Sequence, residues 1–342
     1  VDRLGRFAYL LTDDENAALV GWPPQDDDGQ SLGFARGSAG KGLLINGGSH
    51  VVLAGAIFQG FVNASLDGRG DDGTPLTLLV AGDGTRVENN IFRQKVALNQ
   101  RNGRHIYVSG TRSGTVIRRN YLGPAAAGRG ITKQDSAPDA GWIVEQNLFD
   151  RIGGSNFSCL GGGSHILNLT LRDNQFIGVP DIHGNNISLY AHFYGALLLR
   201  NISVGADRVL TAQNSNKYDE SSYGTAYIYL KDNVQIGAAA NLYTVDINGG
   251  SVRNFLVDGG LIASPDAHYL NIHAGSLGTA VLRHLTLIRP LNRGGNSAEQ
   301  AAEGDPSNTL LDALGSAGQD MIEAHRNDAP AVPVGPAERV AA

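Results

Sequence analysis

Sulfur is nearly missing from this 342-residue chain, which carries one cysteine and one methionine. A lone Cys159 excludes an intrachain disulfide framework and any site built from several thiolates. Its place in an apolar strand is that of an inert core residue. No run of 18 apolar residues occurs, so no membrane-spanning helix is expected. Charged residues make up only 18 % and aromatic residues 7 %, at a formal net charge of −6. Overall acidity and the lack of aromatic stacking motifs argue against nucleic acid as a partner. No phosphate-binding glycine loop, zinc pattern or nucleophile elbow is present. The chain opens on Val1 with no apolar leader, as expected of a processed protein. Together with the scarcity of cysteine, this fits a secreted or cell-surface protein of bacterial or phage origin.

Glycine is plentiful, at 46 residues, and it punctuates a repeat. An apolar residue, two variable residues, then Asn or Gly followed by further apolar residues recurs nine times between Val52 and Leu287. The column runs Gly55, Asn90, Asn120, Asn147, Asn174, Asn201, Asn233, Gly260, Leu285, at steps of 25 to 35 residues of which four are 27. Such a period means units that bury their apolar faces only against their neighbours. Short β-branched and aromatic runs with period-two alternation mark these units as strands. The chain is therefore expected to be all-β, a single-stranded parallel β-helix of about nine coils, roughly 40 Å tall at the strand spacing of a sheet. Asn suits a sharp corner because it tolerates left-handed or bridge conformations, and its amide can bond the Asn above and below, giving a ladder.

The ends depart from the pattern. Residues 1–41 hold two acidic clusters, Asp13 to Glu15 and Asp26 to Asp28, and are expected to form an N-terminal cap or irregular first coil. Residues 42–290 make the β-helix and 291–327 a capping segment. Helical spacing of Leu310, Leu311, Leu314, Met321 and Ile322 predicts a helix over Thr309 to His325 covering the last coil. Residues 328–342, rich in Pro and Ala, read as a flexible tail.

Chemistry is expected on the strand that precedes the Asn strand in each coil, since these strands stack into one parallel sheet. Outward candidates on it are Tyr107, Ser109, Lys133, Ser188, Tyr190, Gln213, Asp246 and Asn271 or His273. From Asn89 to Gln134 there is no acid, while nine Arg and Lys residues occur, including Arg101, Arg104, Arg118, Arg119, Arg129 and Lys133. A solenoid turns that block into a basic band that attracts polyanions. A second cluster places His183 before a sheet strand, Tyr190 on it and His192 after it. The longest insertion, Asn214 to Gly224, carries Lys217, Asp219 and Glu220.

The Asn column resembles the right-handed parallel β-helix superfamily of pectate lyase-like proteins over about two thirds of the chain. Ile131-Thr132-Lys133-Gln134-Asp135-Ser136 is similar to the catalytic-lysine coil of the family that includes alginate lyases and chondroitinase B. That resemblance implies Lys133 as base, and raises calcium as a cofactor that neutralises the uronate; the residues themselves identify no cofactor. The expected function is binding of an acidic polysaccharide and cleavage by β-elimination. This requires neutralisation of the carboxylate by Arg104 or Arg129, a base in Lys133 or His183, and an acid in Tyr190 or His192. Arg101, Tyr107, Lys217 and Asp246 complete the expected substrate contacts. The alternatives are a glycoside hydrolase using Asp219, Glu220 and Asp246, or a non-enzymatic tailspike-like shaft, a homotrimer, marked by an exposed apolar stripe.

Overall fold

In the computed structural model, the described residues are 43–46, 52–54, 57–59, 76–81, 83–93, 104–108, 113–123, 129–133, 138–152, 154–178, 185–206, 208–213, 227–237, 244–248, 254–264, 268–272, 279–289 and 297–311. They form an all-β parallel solenoid of three sheets and one helix. Among them, no helix is long and apolar enough to cross a membrane. The expected N-terminal cap, the Pro-rich tail, Arg101, His183, Lys217, Asp219 and Glu220 lie outside the described residues.

Sheet A holds the strands that lead into the Asn corner: β2 (Val52–Ala54), β5 (Arg86–Glu88), β8 (Val116–Arg118), β11 (Pro138–Glu145), the ends of β13 (Ser155–Arg172) and β15 (Asn185–Leu199), the starts of β18 (Tyr227–Ile236) and β20 (Asn254–Ala263), and β22 (Thr279–Arg283). Sheet B holds those that leave it: β3 (Ile57–Gln59), β6 (Ile91–Arg93), β9 (Tyr121–Leu122), β12 (Leu148–Asp150), β14 (Gln175–Ile177), β16 (Ile202–Val204), the ends of β18 and β20, β23 (Thr286–Ile288) and β24 (Thr309–Leu311). Sheet C stacks β1 (Leu43–Asn46), β4 (Leu76–Ala81), β7 (Arg104–Val108), β10 (Arg129–Lys133), the starts of β13 and β15, β17 (Arg208–Gln213), β19 (Val245–Asn248) and β21 (Leu270–Ile272).

At the corner between sheets A and B, Asn90 Nδ2 donates to Asn120 Oδ1, and the same bond links Asn120 to Asn147, Asn147 to Asn174, Asn174 to Asn201 and Asn201 to Asn233, each at 3.0 Å. The backbone N–H of each donor residue reaches the same oxygen. The second amide hydrogen goes to a carbonyl of the coil before, as from Asn147 to Ile117 O at 2.9 Å. Donors and acceptors are thereby satisfied although these side chains are buried. The left-handed residue is the one before the Asn rather than the Asn itself. Asn89, Arg119, Gln146, Asp173, Arg200, Asp232 and His284 all have φ between 50° and 57°. The turn is made one residue early so that the amide can point inward.

Gly260 follows Asn233 in register, with φ +97°, and a Cβ there would stand 2.1 Å from Asn233 O; only glycine fits. Beyond Leu285 the column resumes at Asn308, which accepts Leu285 N–H at 2.8 Å and donates to Leu282 O at 3.0 Å. The corner at Asn308 sends the chain into β24, which pairs with β23. Thr309 to Leu311 is thus strand where a helix was expected. The helix, α1 (Ser297–Gly304), comes earlier.

The interior is built from in-register apolar columns such as Phe92, Leu122, Phe149 and Phe176, the last two rings stacked at 4.6 Å. His105 is also fully buried, with Nε2 3.0 Å from Gly123 O; desolvation pushes its pKa down to about 4, so the ring is neutral near pH 7 and Nε2 carries the proton that Gly123 accepts.

On the surface beside the corner, Glu88, Arg118, Glu145 and Arg172 fall in one register column. Arg118 bonds Glu88 and approaches Glu145 at 3.9 Å, while Arg172 bonds Glu145. Further along, Arg283 and His284 hold Asp258 at about 2. The basic band read from the sequence is therefore neutralised at Arg118, because its acidic partners come from the coils on either side.

Candidate functional site on the outer face of sheet C

Alternation in sheet C gives each strand an inward and an outward set. Ile106, Ile131, Phe157, Ile187, Leu210, Val245 and Leu270 share one inward column, and all belong to the core. The residue after each faces outward: Tyr107, Thr132, Ser158, Ser188, Thr211, Asp246 and Asn271, also in unbroken register. From Thr132 onward this outward column is entirely polar.

Its members bond along the stack. Thr132 Oγ1 and Ser158 Oγ are 3.0 Å apart, and Ser155 Oγ lies 3.2 Å from Ser188 Oγ. Asn271 Nδ2 donates to Asp246 Oδ1 at 2.8 Å, while Arg208 Nε stands 3.2 Å from Asp246 Oδ2. Asp246 Oδ1 thus holds Asn271 by a hydrogen bond, while Oδ2 pairs with Arg208 by charge without the alignment of a hydrogen bond. Thr132, Ser158, Ser188, Thr211 and Asp246 are at most 5 % exposed despite facing outward. The arginines head the strands: Arg104 and Arg129 are register partners, followed by Ser155, Asn185 and Arg208.

Lys133 is not on this face. It pairs with Val108 on one side and Cys159 on the other, in an otherwise apolar inward column, and it is fully buried. The expectation of an outward Lys133 fails on parity: Ile131 is inward, so Thr132 is outward and Lys133 inward again. Tyr107 and Asp246 do lie in the outward column. Tyr190 is the register partner of Leu160, and His192 that of His165; the side chains of Arg104, Tyr190 and His192 lie outside the described set.

Arg208 was missed by the sequence reading, as were Thr132, Ser158 and Thr211 as members of a polar column. A signal for Arg208 exists. Arg-x-apolar opens β7 as Arg104-His105-Ile106, β10 as Arg129-Gly130-Ile131 and β17 as Arg208-Val209-Leu210. Among the described residues no group of three or more His, Cys, Asp or Glu is placed to hold a metal ion. Among the described residues the outward column holds a single carboxylate, Asp246, which already accepts from Asn271 and pairs with Arg208.

No protein-family model matches the chain, and no curated protein matches it. Among solved structures it is similar to a mannuronic acid specific polysaccharide family 6 lyase from human gut microbiota, with a TM-score of 0.50 and 14 % identity over 90 % of this chain and 76 % of that one. It is also similar to a polygalacturonase from Erwinia carotovora ssp. carotovora, with a TM-score of 0.37 and 12 % identity over 83 % of this chain and 88 % of that one. What is shared with the lyase at this identity is the fold alone, a parallel β-helix.

Proposed function

We propose that this chain is a carbohydrate-active protein that takes an acidic polysaccharide lengthwise along the outer face of sheet C and cleaves it by β-elimination. The observation that carries the reading is the pair of half-buried arginines, Arg129 and Arg208, that head strands of sheet C beside its outward polar column. Thr132, Ser158, Ser188, Thr211 and Asp246 are covered, so the contacts to an extended glycan fall to the half-buried Asn271, Arg129 and Arg208. Arg129 and Arg208 supply positive charge for its carboxylates, and Asp246 lies beside Arg208 at 3.2 Å. The likeness of fold to a lyase specific for a uronic acid supports the same substrate class.

Elimination needs the carboxylate neutralised, a base for the proton on the adjacent carbon and an acid for the leaving oxygen. The arginines serve the first need. Tyr190 and His192 on β15, with His183 in the segment before it, are the groups of suitable chemistry for the other two. Lys133 has no part, because its side chain is in the core. The test is incubation with alginate, pectate and glycosaminoglycans, following ultraviolet absorbance of the unsaturated product together with new reducing ends. Absorbance that rises with the wild type and is lost in Tyr190→Phe supports the reading; reducing ends without absorbance would replace elimination by hydrolysis.

A second reading, a shaft that self-associates, is favoured by one feature. Val116, Ile143, Thr170, Leu197, Tyr229, Leu256 and Val281 fall in one outward column of sheet A, with Leu197 40 % and Val281 37 % exposed. A trimer mass in solution that falls to monomer in Leu197→Glu would support it.

A further inference from the structure

The outer face of sheet A carries two register columns side by side, two residues apart on each strand. One is the apolar column from Val116 to Val281. The other is charged. Along the stack it runs Glu88, Arg118, Glu145, Arg172, and then Leu199, Lys231, Asp258, Arg283. This order is complementary to its own reverse. Laid against itself end for end, the column sets Glu88 on Arg283, Arg118 on Asp258 and Glu145 on Lys231, with Arg172 on the neutral Leu199.

We propose that two copies of this chain pair face to face through sheet A, their stacks antiparallel about a two-fold axis that runs along the strands midway between the Arg172 and Leu199 rungs. Rotation about such an axis brings each column to face its own reverse, so symmetry makes every one of these ion pairs twice. The pairing rests on the apolar column that also favours self-association, gives it a two-fold rather than a three-fold partner, and leaves sheet C free for a glycan.

Height agrees with charge. The side chains of Glu88, Glu145 and Asp258 lie low, 11 to 14 % exposed, whereas those of Arg118, Arg172 and Arg283 stand out at 29 to 46 %, and Lys231 is exposed. Each pair therefore sets a tall cation over a recessed carboxylate. Arg118 is already bonded to Glu88, and Arg283 to Asp258, inside each copy, so association has few side chains left to order.

The register is specific, because like charges across an interface are penalised. Sliding one copy by a single rung sets Arg118 on Lys231 in one sense and on Arg283 in the other. Parallel stacks with equal rungs level would set every charge against its own kind. In the antiparallel register the apolar column is matched as well: Leu197, 40 % exposed, faces Thr170, Ile143 faces Tyr229, and Val116 faces Leu256. From the Glu88 rung to the Arg283 rung the face is about 34 Å long, and five residues of strand make it about 16 Å wide. Two such faces bury about 1,100 Å², enough for a specific interface.

Sedimentation equilibrium of the full-length chain is expected to give the mass of a dimer. A monomer at every attainable concentration would overturn both this pairing and the self-associating reading; a trimer would overturn this pairing alone. Lys231→Glu turns an attraction into a repulsion on both sides of the axis and is expected to weaken association by on the order of a hundredfold. Arg119→Glu makes the same change of charge at an exposed position off the column and should leave the dimer intact. Equal weakening by both variants, or by neither, would overturn the pairing. Orientation is read separately by spin labels on Arg119→Cys, Cys159 being buried. Antiparallel stacks hold the two labels about 24 Å apart along the rod, from the Arg118 rung to the Asp258 rung; labels found level with each other would overturn the proposal.

Discussion

Glu299 Oε1 accepts the backbone N–H of Tyr269 at 2.9 Å and that of Leu270 at 3.3 Å, standing where the carbonyl of a further coil would stand. Two coils earlier, the equivalent Val209 and Leu210 both donate to Thr244 O of the coil that follows them. The carboxylate of α1 thus ends sheet C by imitating the strand that is no longer there, and Tyr269 OH fastens the same helix through Glu303 at 2.8 Å. An open sheet edge is a template for pairing with another chain. Glu299→Ala should therefore cost about 2 to 3 kcal/mol, the order expected for buried donors left unmet, and raise end-to-end association seen by light scattering. Glu299→Gln keeps an acceptor oxygen and should lose much less. Equal losses for both variants in thermal unfolding would refute the imitation.

Asn147 is central to the amide ladder: its oxygen takes two donors from Asn120, and its nitrogen serves Ile117 O and Asn174. Removing it strands partners on both adjacent coils. Asn147→Ala is expected to destabilise by about 3 kcal/mol or more, since unsatisfied buried groups add to the lost bonds. Gln146→Ala, one residue away in the exposed left-handed position, should cost far less than that. Denaturant titration of the two variants separates them.

His105 makes stability depend on pH in a stated direction. Its pKa is about 4 in the folded chain against an ordinary 6.5, so between those values the unfolded chain binds the proton and the folded one does not. Stability contributed by the neutral ring is complete above pH 6.5 and is lost as pH falls toward 4, by about 3 kcal/mol in all. A His105→Gln variant, whose amide can still donate to Gly123 O, should lack this component. Comparing melting temperatures of the two proteins from pH 7 to pH 4 measures the difference.

The repeat was legible because its cause is local. Each coil needs an Asn or Gly at one corner and apolar residues around it, and every such residue announces itself in the sequence. Counting back from that corner reaches the strand before the Asn strand in each coil, and those strands are sheet C. What escaped depends on neighbours in the stack. Lys133 was put on the wrong face because its charge was weighed above the alternation that the inward Ile131 starts. Arg118 looked unpaired because Glu88 and Glu145 lie 30 and 27 residues away in the chain yet one coil away in space. Asn308 escaped the column, since the irregular Leu285 coil hides its continuation.

The same distinction separates the arginines in function. Arg208 lies beside the outward column of sheet C and is tied to Asp246, whereas Arg118 lies beside the A–B corner between two glutamates. If the glycan runs along sheet C, Arg208→Ala removes a carboxylate partner, and affinity for an acidic polysaccharide should fall about tenfold with a shallower dependence on salt. Asp246→Asn should act in the same direction by loosening Arg208, and the double variant should be little worse than either single one, as for residues acting as a unit. Arg118→Ala should leave affinity unchanged while lowering stability slightly, as exposed ion pairs do. Isothermal titration at two salt concentrations reads all four proteins. Equal effects of Arg118 and Arg208 would mean that binding follows overall charge rather than this face.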